Sequence, residues 1–238
     1  MKKLFNTFLA VLVILIAIQS LCSAQQAKNV KTATGRQISA LSKSEKRDGF
    51  VMLFDGRNFD KWIPSEAYDI TADGLIRSNP DKKAGTNLYT KEEYDNFIYR
   101  FEFKLTPAAN NGIGIHAPLE GDVAYVGKEI QVLDNDADVY KELAPYQYHG
   151  SVYGIIPAKR GALKPLGEWN QEEIRVDGSK IKVTLNGQVI VDADLKEATK
   201  NGTMDKLDHP GLKRTTGHIG FLGHGSEVFF RNIRVKRL

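Results

Sequence analysis

The stretch EEIRVDGSKIKVTLNGQVIVDADL, residues 172–195, limits the fold more than any other part of the chain. Apolar and polar residues alternate on both sides of Asp177-Gly178 and of Asn186-Gly187. Side chains of an extended strand point to opposite faces in turn, so a period of two builds a strand with one buried face. Asn-Gly accepts positive φ at both positions, which is what a two-residue hairpin turn needs. The stretch therefore predicts consecutive antiparallel strands joined by tight turns, and no helix satisfies the same spacing.

The texture recurs. YRFEFKL (99–105) alternates large apolar with charged residues, and FVMLFDG (50–56) is a buried-type strand running into an Asp-Gly turn. HIGFLGHGSEVFFRNIRVKRL (218–238) supplies two more strands around His224-Gly225. About a dozen short strands separated by Gly, Pro, Asn and Asp turns predict an all-β, two-sheet antiparallel sandwich of jelly-roll type. KEEYDNF (91–97) and ADVYKEL (137–143) are expected to make at most a turn or two of helix. There is no internal repeat and no sign of a second domain.

The N-terminus is of a different kind. Met1-Lys2-Lys3 is basic, Phe8 to Ile18 is unbroken apolar sequence, and Cys22-Ser23-Ala24 ends in small residues. This predicts a secretory signal peptide over residues 1–24, its apolar run too short to span a bilayer comfortably. Leu21 is bulky where a lipoprotein signal wants a small residue, so cleavage after Ala24 is favoured over lipid anchoring at Cys22. The exported chain would be periplasmic or extracellular, without its single cysteine, and so without a disulfide, thiol nucleophile or thiolate metal site. Residues 25–48 are polar and aromatic-free up to the domain start, and are expected to be a flexible linker. The domain proper is expected over 49–238. Losing Lys2 and Lys3 lowers the formal charge from +4 to +2. So near-neutral a balance gives no electrostatic case for nucleic acid or an anionic membrane as partner. No Gly-rich phosphate loop, G-x-S-x-G elbow or H-E-x-x-H pair occurs, so no nucleotide cofactor is expected.

The residues with chemical potential gather around EIQVLDND (129–136). Glu129 and Gln131 share a strand face, ~7 Å apart. Asp134 falls on the opposite face unless a bulge intervenes. With a bulge the segment looks like the E-x-D-x-x-E catalytic strand of a large jelly-roll glycosidase family, with Gln131 for the central acid and the shorter Asp134 for the distal one. Of the five histidines, three lie in the more telling glycine-containing stretches: His116 in NGIGIH, His149 before GSVYG, and His224 in GHGSE. Imidazole near neutrality serves as acid or base. Asn110 and Asn111 offer amides for sugar hydroxyls, Tyr153 and Trp169 offer rings for stacking or for the core, and Trp62 reads as core.

Several blocks taken in order, GFVMLFDGRNFDKW, NGIGIHAP, EIQVLDND, HGSVYGIIP, GEWNQEEIRVDG, LNGQVI and GHIGFLGHGSEVFFRNIRVKRL, resemble the 3-keto-disaccharide hydrolase domain family. The resemblance spans about Gly49 to Leu238. It implies a concanavalin A-like jelly roll and cleavage of 3-keto-glycosides. One departure stands out: where relatives often read Leu-Gln-Asp-His-Gly, this chain has Phe221-Leu222-Gly223-His224-Gly225. A ketone at C3 acidifies the C2 proton, so a base can remove it and the C1–O bond can break by elimination, with water adding afterwards. That route needs one base, donors for the enolate oxygen and an acid at the leaving oxygen. A divalent cation at the ketone would serve as such a donor. The expected roles are Glu129, His116 and His224 in catalysis, and Asn111, Gln131, Asp134, His149 and Tyr153 in holding the carbohydrate. Two other readings stay open: a carbohydrate-binding module without catalysis, and a conventional glycoside hydrolase using Glu129 and Asp134.

Overall fold

The structure is a computed structural model that describes residues 28–31, 35–82 and 86–238. The expected signal peptide, with Cys22, lies outside the described residues. In chain order the strands are β1 (Lys28–Lys31), β2 (Gln37–Ala40), β3 (Val51–Phe54), β4 (Tyr68–Ile70), β5 (Ile76–Ser78), β6 (Leu88–Tyr94) and β7 (Phe97–Leu105). They continue with β8 (Asn110–Ala117), β9 (Lys128–Leu133), β10 (Trp169–Asp177), β11 (Lys180–Leu185), β12 (Gln188–Asp194), β13 (Gly217–Gly223) and β14 (Val228–Arg237). Among the described residues the helices are short: α1 (Lys43–Arg47), α2 (Val123–Val126), α3 (Leu195–Thr199) and three 3-10 turns.

Two antiparallel sheets form the sandwich. The larger runs β12-β11-β10-β7-β14-β5-β4, with β3 also pairing β14; the smaller runs β6-β13-β8-β9. The hairpins stand where the turn residues asked for them. Gly178 and Ser179 link β10 to β11, and Asn186 (φ 50°) with Gly187 (φ 82°) links β11 to β12. KEEYDNF, expected as a helical turn, is instead the end of β6 and its turn into β7, because Tyr94 and Phe97 both face the core and a sheet partner claims each backbone. ADVYKEL makes only a 3-10 turn over Asp138–Tyr140.

The core is aromatic where the sheets face each other. Phe101, Phe103, Phe221 and Phe230 are all but fully buried, with Phe221 and Phe230 ring centroids 4.0 Å apart. Trp62 is wholly buried and its indole N–H donates to the Leu53 carbonyl at 2.9 Å. Burying such side chains contributes ~1.5–3 kcal/mol each, which the alternating pattern secures on one face of every long strand.

Part of the segment expected as a linker is docked. Ser42 caps α1 in a reciprocal capping box with Glu45. Glu45 is 1 % exposed and accepts from Arg234 of β14. A charge so deeply buried persists only when paired, and the partner lies 189 residues away, so local composition carried no sign of it.

The outer edge of β9 is covered rather than open. Gln131 N–H donates to Ser151 O at 3.0 Å, Gly150 N–H to Gln131 O at 2.7 Å, and Tyr153 N–H to Glu129 O at 2.9 Å. The HGSVYG segment thus forms a partial extra strand beside the residues of greatest chemical interest.

Candidate active site

On β9, Ile130 and Val132 point into the core, so Glu129, Gln131 and Leu133 point out of the smaller sheet's other face. They line a cleft of about 250 Å³. Its walls are Asp122, Ala124 and Tyr125 at and within α2, Tyr140, Leu143 and Gln147 from the 134–149 connection, Tyr153 from the covering segment, and His224 after β13.

Glu129 and His224 meet there. Glu129 Oε1 lies 3.6 Å from His224 Nε2, with the Glu129 side chain 5 % exposed and the His224 side chain 45 % exposed. The contact reaches over β8, which runs between β9 and β13. It is open because the residue beneath is Gly112: a Cβ there would stand 1.9 Å from Glu129 Oε1 and 2.6 Å from its carboxyl carbon. The Glu129 carboxylate, this close to the ring, raises the His224 pKa above its ordinary value, outweighing the opposing effect of burial. Gln131, in the amide orientation that satisfies its neighbours, donates to Glu129 Oε1 at 3.2 Å and to the Asn111 carbonyl at 3.1 Å. That fixes one carboxylate oxygen and leaves the other free to face a ligand. Tyr153 OH accepts from Gln147 Nε2 at 2.9 Å and keeps its own proton free to donate.

Four of the expected site residues thus share the cleft: Glu129, Gln131, Tyr153 and His224. The other four lie elsewhere. His116 does not stand with them. Strict alternation along β8 would place it on Glu129's face, but its φ of 49° and a register slip opposite β13 break the alternation. Its ring is buried, Nε2 donating to Asp95 O at 2.7 Å and Nδ1 accepting from Lys128 Nζ at 2.9 Å. Burial and the neighbouring Lys128 charge lower the His116 pKa. Lys128 itself is pushed down to about 8, first by burial and then by Arg214.

Asp134 also stands apart. No bulge interrupts the β8–β9 register, so β9 ends at Leu133 and Asp134 turns away. Its two oxygens accept from Ala108 N–H at 2.9 Å and from Asp136 N–H at 3.3 Å, as an aspartate does in a turn. Asn111 faces inward, its Nδ2 donating to Tyr68 OH at 3.1 Å, and its neighbour Asn110 lines the cleft instead. His149 is 2 % exposed. Its Nδ1 accepts from Leu133 N–H at 3.3 Å, while Nε2 lies 3.1 Å from the buried Glu172 carboxylate. It braces the end of β9 from inside the sandwich. Trp169 sits outside the cleft, under the Arg231 guanidinium at 3.8 Å.

Asp122, Tyr125, Tyr140 and Gln147 were not singled out by sequence reasoning. One signal was available for two of them. The connection between Asp134 and His149 is long for a sandwich and carries Tyr140, Tyr146, Tyr148 and Gln147, a combination that goes with binding loops. Leu222, at the position where relatives often have Gln, is packed with Tyr89, Ala117 and Val123 beside Gly114. It is buried and does not line the cleft. Among the described residues no three His, Cys, Asp or Glu side chains are gathered so as to hold a metal ion. No helix among them is long and apolar enough to cross a membrane.

Comparison with known proteins identifies the family of the domain. Residues 49–236 match the family described as 3-keto-alpha-glucoside-1,2-lyase-like domain. A Bacteroides thetaiotaomicron protein named 3-keto-disaccharide hydrolase is 28% identical over 248 residues, covering 87% of this chain and 85% of its own length. A crystal structure of a Parabacteroides distasonis protein, classed provisionally as a glycosyl hydrolase, superposes with a TM-score of 0.72 at 26% identity. It covers 84% of this chain and 98% of its own. A second structure from that organism, under the same description, gives 0.69 at 29% identity, over 79% of this chain and 99% of its own. With its jelly-roll sandwich and its carboxylate–imidazole cleft, the chain belongs to the 3-keto-alpha-glucoside-1,2-lyase-like domain family, a carbohydrate-acting family of glycosyl-hydrolase type.

Proposed function

We propose that the protein is an exported hydrolase that cleaves the glycosidic bond of 3-keto-glycosides by elimination followed by hydration. The observation that carries this reading is the Glu129–His224 contact in the cleft: one carboxylate beside one imidazole whose pKa it raises. The relative named 3-keto-disaccharide hydrolase supports the substrate class. Export, to the periplasm or beyond the cell, rests on the N-terminal sequence alone.

Glu129 removes the proton from C2, and the electron pair is held as the enolate of the C3 ketone. Tyr153 and Asn110, both lining the cleft, are donors available to the enolate oxygen. The enolate collapses to form C1=C2 as the C1–O bond breaks, and His224 gives its proton to the departing oxygen. Water then adds at C1, its proton restores His224, and Glu129 returns its proton to C2. The net change is hydrolysis. A paired-carboxylate displacement using Asp134 has no support in the cleft, since both Asp134 oxygens are occupied in a turn.

The test compares a 3-keto-glycoside with its unoxidised parent in D₂O. Cleavage of the keto form alone, with deuterium at C2 of product or recovered substrate, is expected. Cleavage of both without C2 label would replace elimination by direct displacement at C1. Binding without any product would leave a carbohydrate-binding module.

A further inference from the structure

We propose that Asp205 and His209, outside the cleft, form a positioning pair that sets the gap between its two aromatic walls, Tyr125 and Tyr153. The inference rests on the glycosidase reading only for its kinetic arm. Asp205 and His209 are buried, with side chains 5 % and 0 % exposed, and His209 Nε2 lies 2.8 Å from Asp205 Oδ2. His209 Nδ1 lies 3.2 Å from the carbonyl of Ala124, the residue before Tyr125. A carboxylate and a carbonyl only accept, so each ring nitrogen of His209 faces an acceptor, one on each side of the ring. The Tyr125 ring stands against the His209 ring with centroids 4.9 Å apart.

The other wall is tied to the same pair. Asp205 N–H donates at 3.1 Å to the carbonyl of Gly154, the residue after Tyr153. Gly154 has φ 72°, and a Cβ there would lie 2.3 Å from Asp205 Oδ2 and 2.7 Å from His209 Cε1. The backbone beside Tyr153 therefore packs directly on the Asp205–His209 pair. One buried side-chain pair thus holds α2 through Ala124 and the covering segment through Gly154.

The segment carrying the pair is itself anchored farther along. The 3-10 turn Pro210–Lys213 crosses Gly127 so closely that a Cβ on Gly211 would lie 2.0 Å from the Gly127 carbonyl oxygen. At Arg214 the carbonyl accepts from Lys128 Nζ at 2.7 Å and the guanidinium donates to His116 O at 2.9 Å. His116 and Lys128 therefore act in the anchor of this strap, and not in the cleft. Since neither Asp205 nor His209 reaches the cleft, their effect on a ligand passes through Tyr125 and Tyr153.

His209→Gln and Asp205→Asn test the assignment. Gln reaches one of the two acceptors but not both. Backbone amide hydrogen exchange is expected to speed up together at residues 122–126 and 152–156, with β7 and β14 unchanged. With a 3-keto-glycoside, KM should rise at least fivefold while kcat stays within about threefold. Should His209→Gln fail to fold, Tyr125→Leu, which leaves the Asp205–His209 contact intact, should raise KM without faster exchange at 152–156. Exchange that rises at one wall only, or everywhere, would overturn the proposal, as would a fall in kcat at unchanged KM. If the wild-type protein turns over no 3-keto-glycoside, the reaction assignment fails, and the exchange measurement still decides on the clamp.

Discussion

Glu129 and His224 meet across a glycine. Their strands, β9 and β13, are separated by β8, a span of roughly 10 Å between backbones. Side chains from next-nearest strands ordinarily cannot touch, because the middle strand's side chain stands between them. Gly112 removes that obstacle, and the Glu129 carboxylate lies over the bare backbone. The contact that raises the His224 pKa is thus a property of three strands at once.

Gly112→Ala should disable the site while sparing the fold. The new methyl group would overlap Oε1, the carboxyl carbon and Cγ of Glu129, whose side chain points into a cleft and has room to swing away. Misplacing a catalytic group by about 1 Å costs up to ~10²-fold. We expect turnover to fall at least tenfold with the melting temperature lowered by only a few degrees. Full activity in a folded Gly112→Ala protein would show that Glu129 is not the base.

Glu129→Gln should abolish cleavage and leave sugar binding largely intact. The amide keeps the reach and the hydrogen bonds but takes no proton, a loss of at least ~10²-fold for an essential base. Asp134→Asn should keep most activity and lose at most about 1 kcal/mol of stability, since its work is to hold two turn N–H groups. Equal, severe losses in both variants would bring back the paired-carboxylate mechanism. Steady-state rates and calorimetric titration with product separate these outcomes.

The alkaline side of the pH–rate profile should follow His224. Its pKa is raised, chiefly by the Glu129 carboxylate beside it, so the acid form persists above the range of an ordinary histidine. Activity should fall as pH climbs through that raised value, and the stability contributed by the charged pair should be lost over the same rise. In Glu129→Gln the His224 ring resonances should titrate at lower pH. An unchanged titration would mean that the contact does not form in solution.

Lys128 gives a stability signature of opposite sign. Its pKa is about 8 in the folded chain, against 10.5 for a free lysine side chain. Between those values the unfolded chain binds the proton and the folded one does not, so stability rises with pH across that window. Relative to Lys128→Met, the wild-type protein should gain roughly 3 kcal/mol between pH 8 and 10.5. Urea melts at several pH values read this directly, and a flat difference would show that the ammonium is not desolvated.

The sandwich was written locally in the sequence. Asp177-Gly178 and Asn186-Gly187 fix their own turns, and alternation in YRFEFKL or EIQVL decides which face each side chain takes, because both act over two to four residues. Glu129 and Gln131 share a face for that reason alone. What lay beyond reach were facts set by partners distant in the chain. The slip opposite β13 sends His116 to Asp95 and Lys128; the end of β9 turns Asp134 onto Ala108; Arg234 draws Glu45 and α1 onto the sheet. The cleft walls come from α2, the 134–149 connection and the covering segment, and no periodicity encodes where a loop folds back. The sequence determined the strands and the face on which the chemistry stands; tertiary packing alone decided which acid meets which histidine, because that depends on the register between strands and on the one glycine between them.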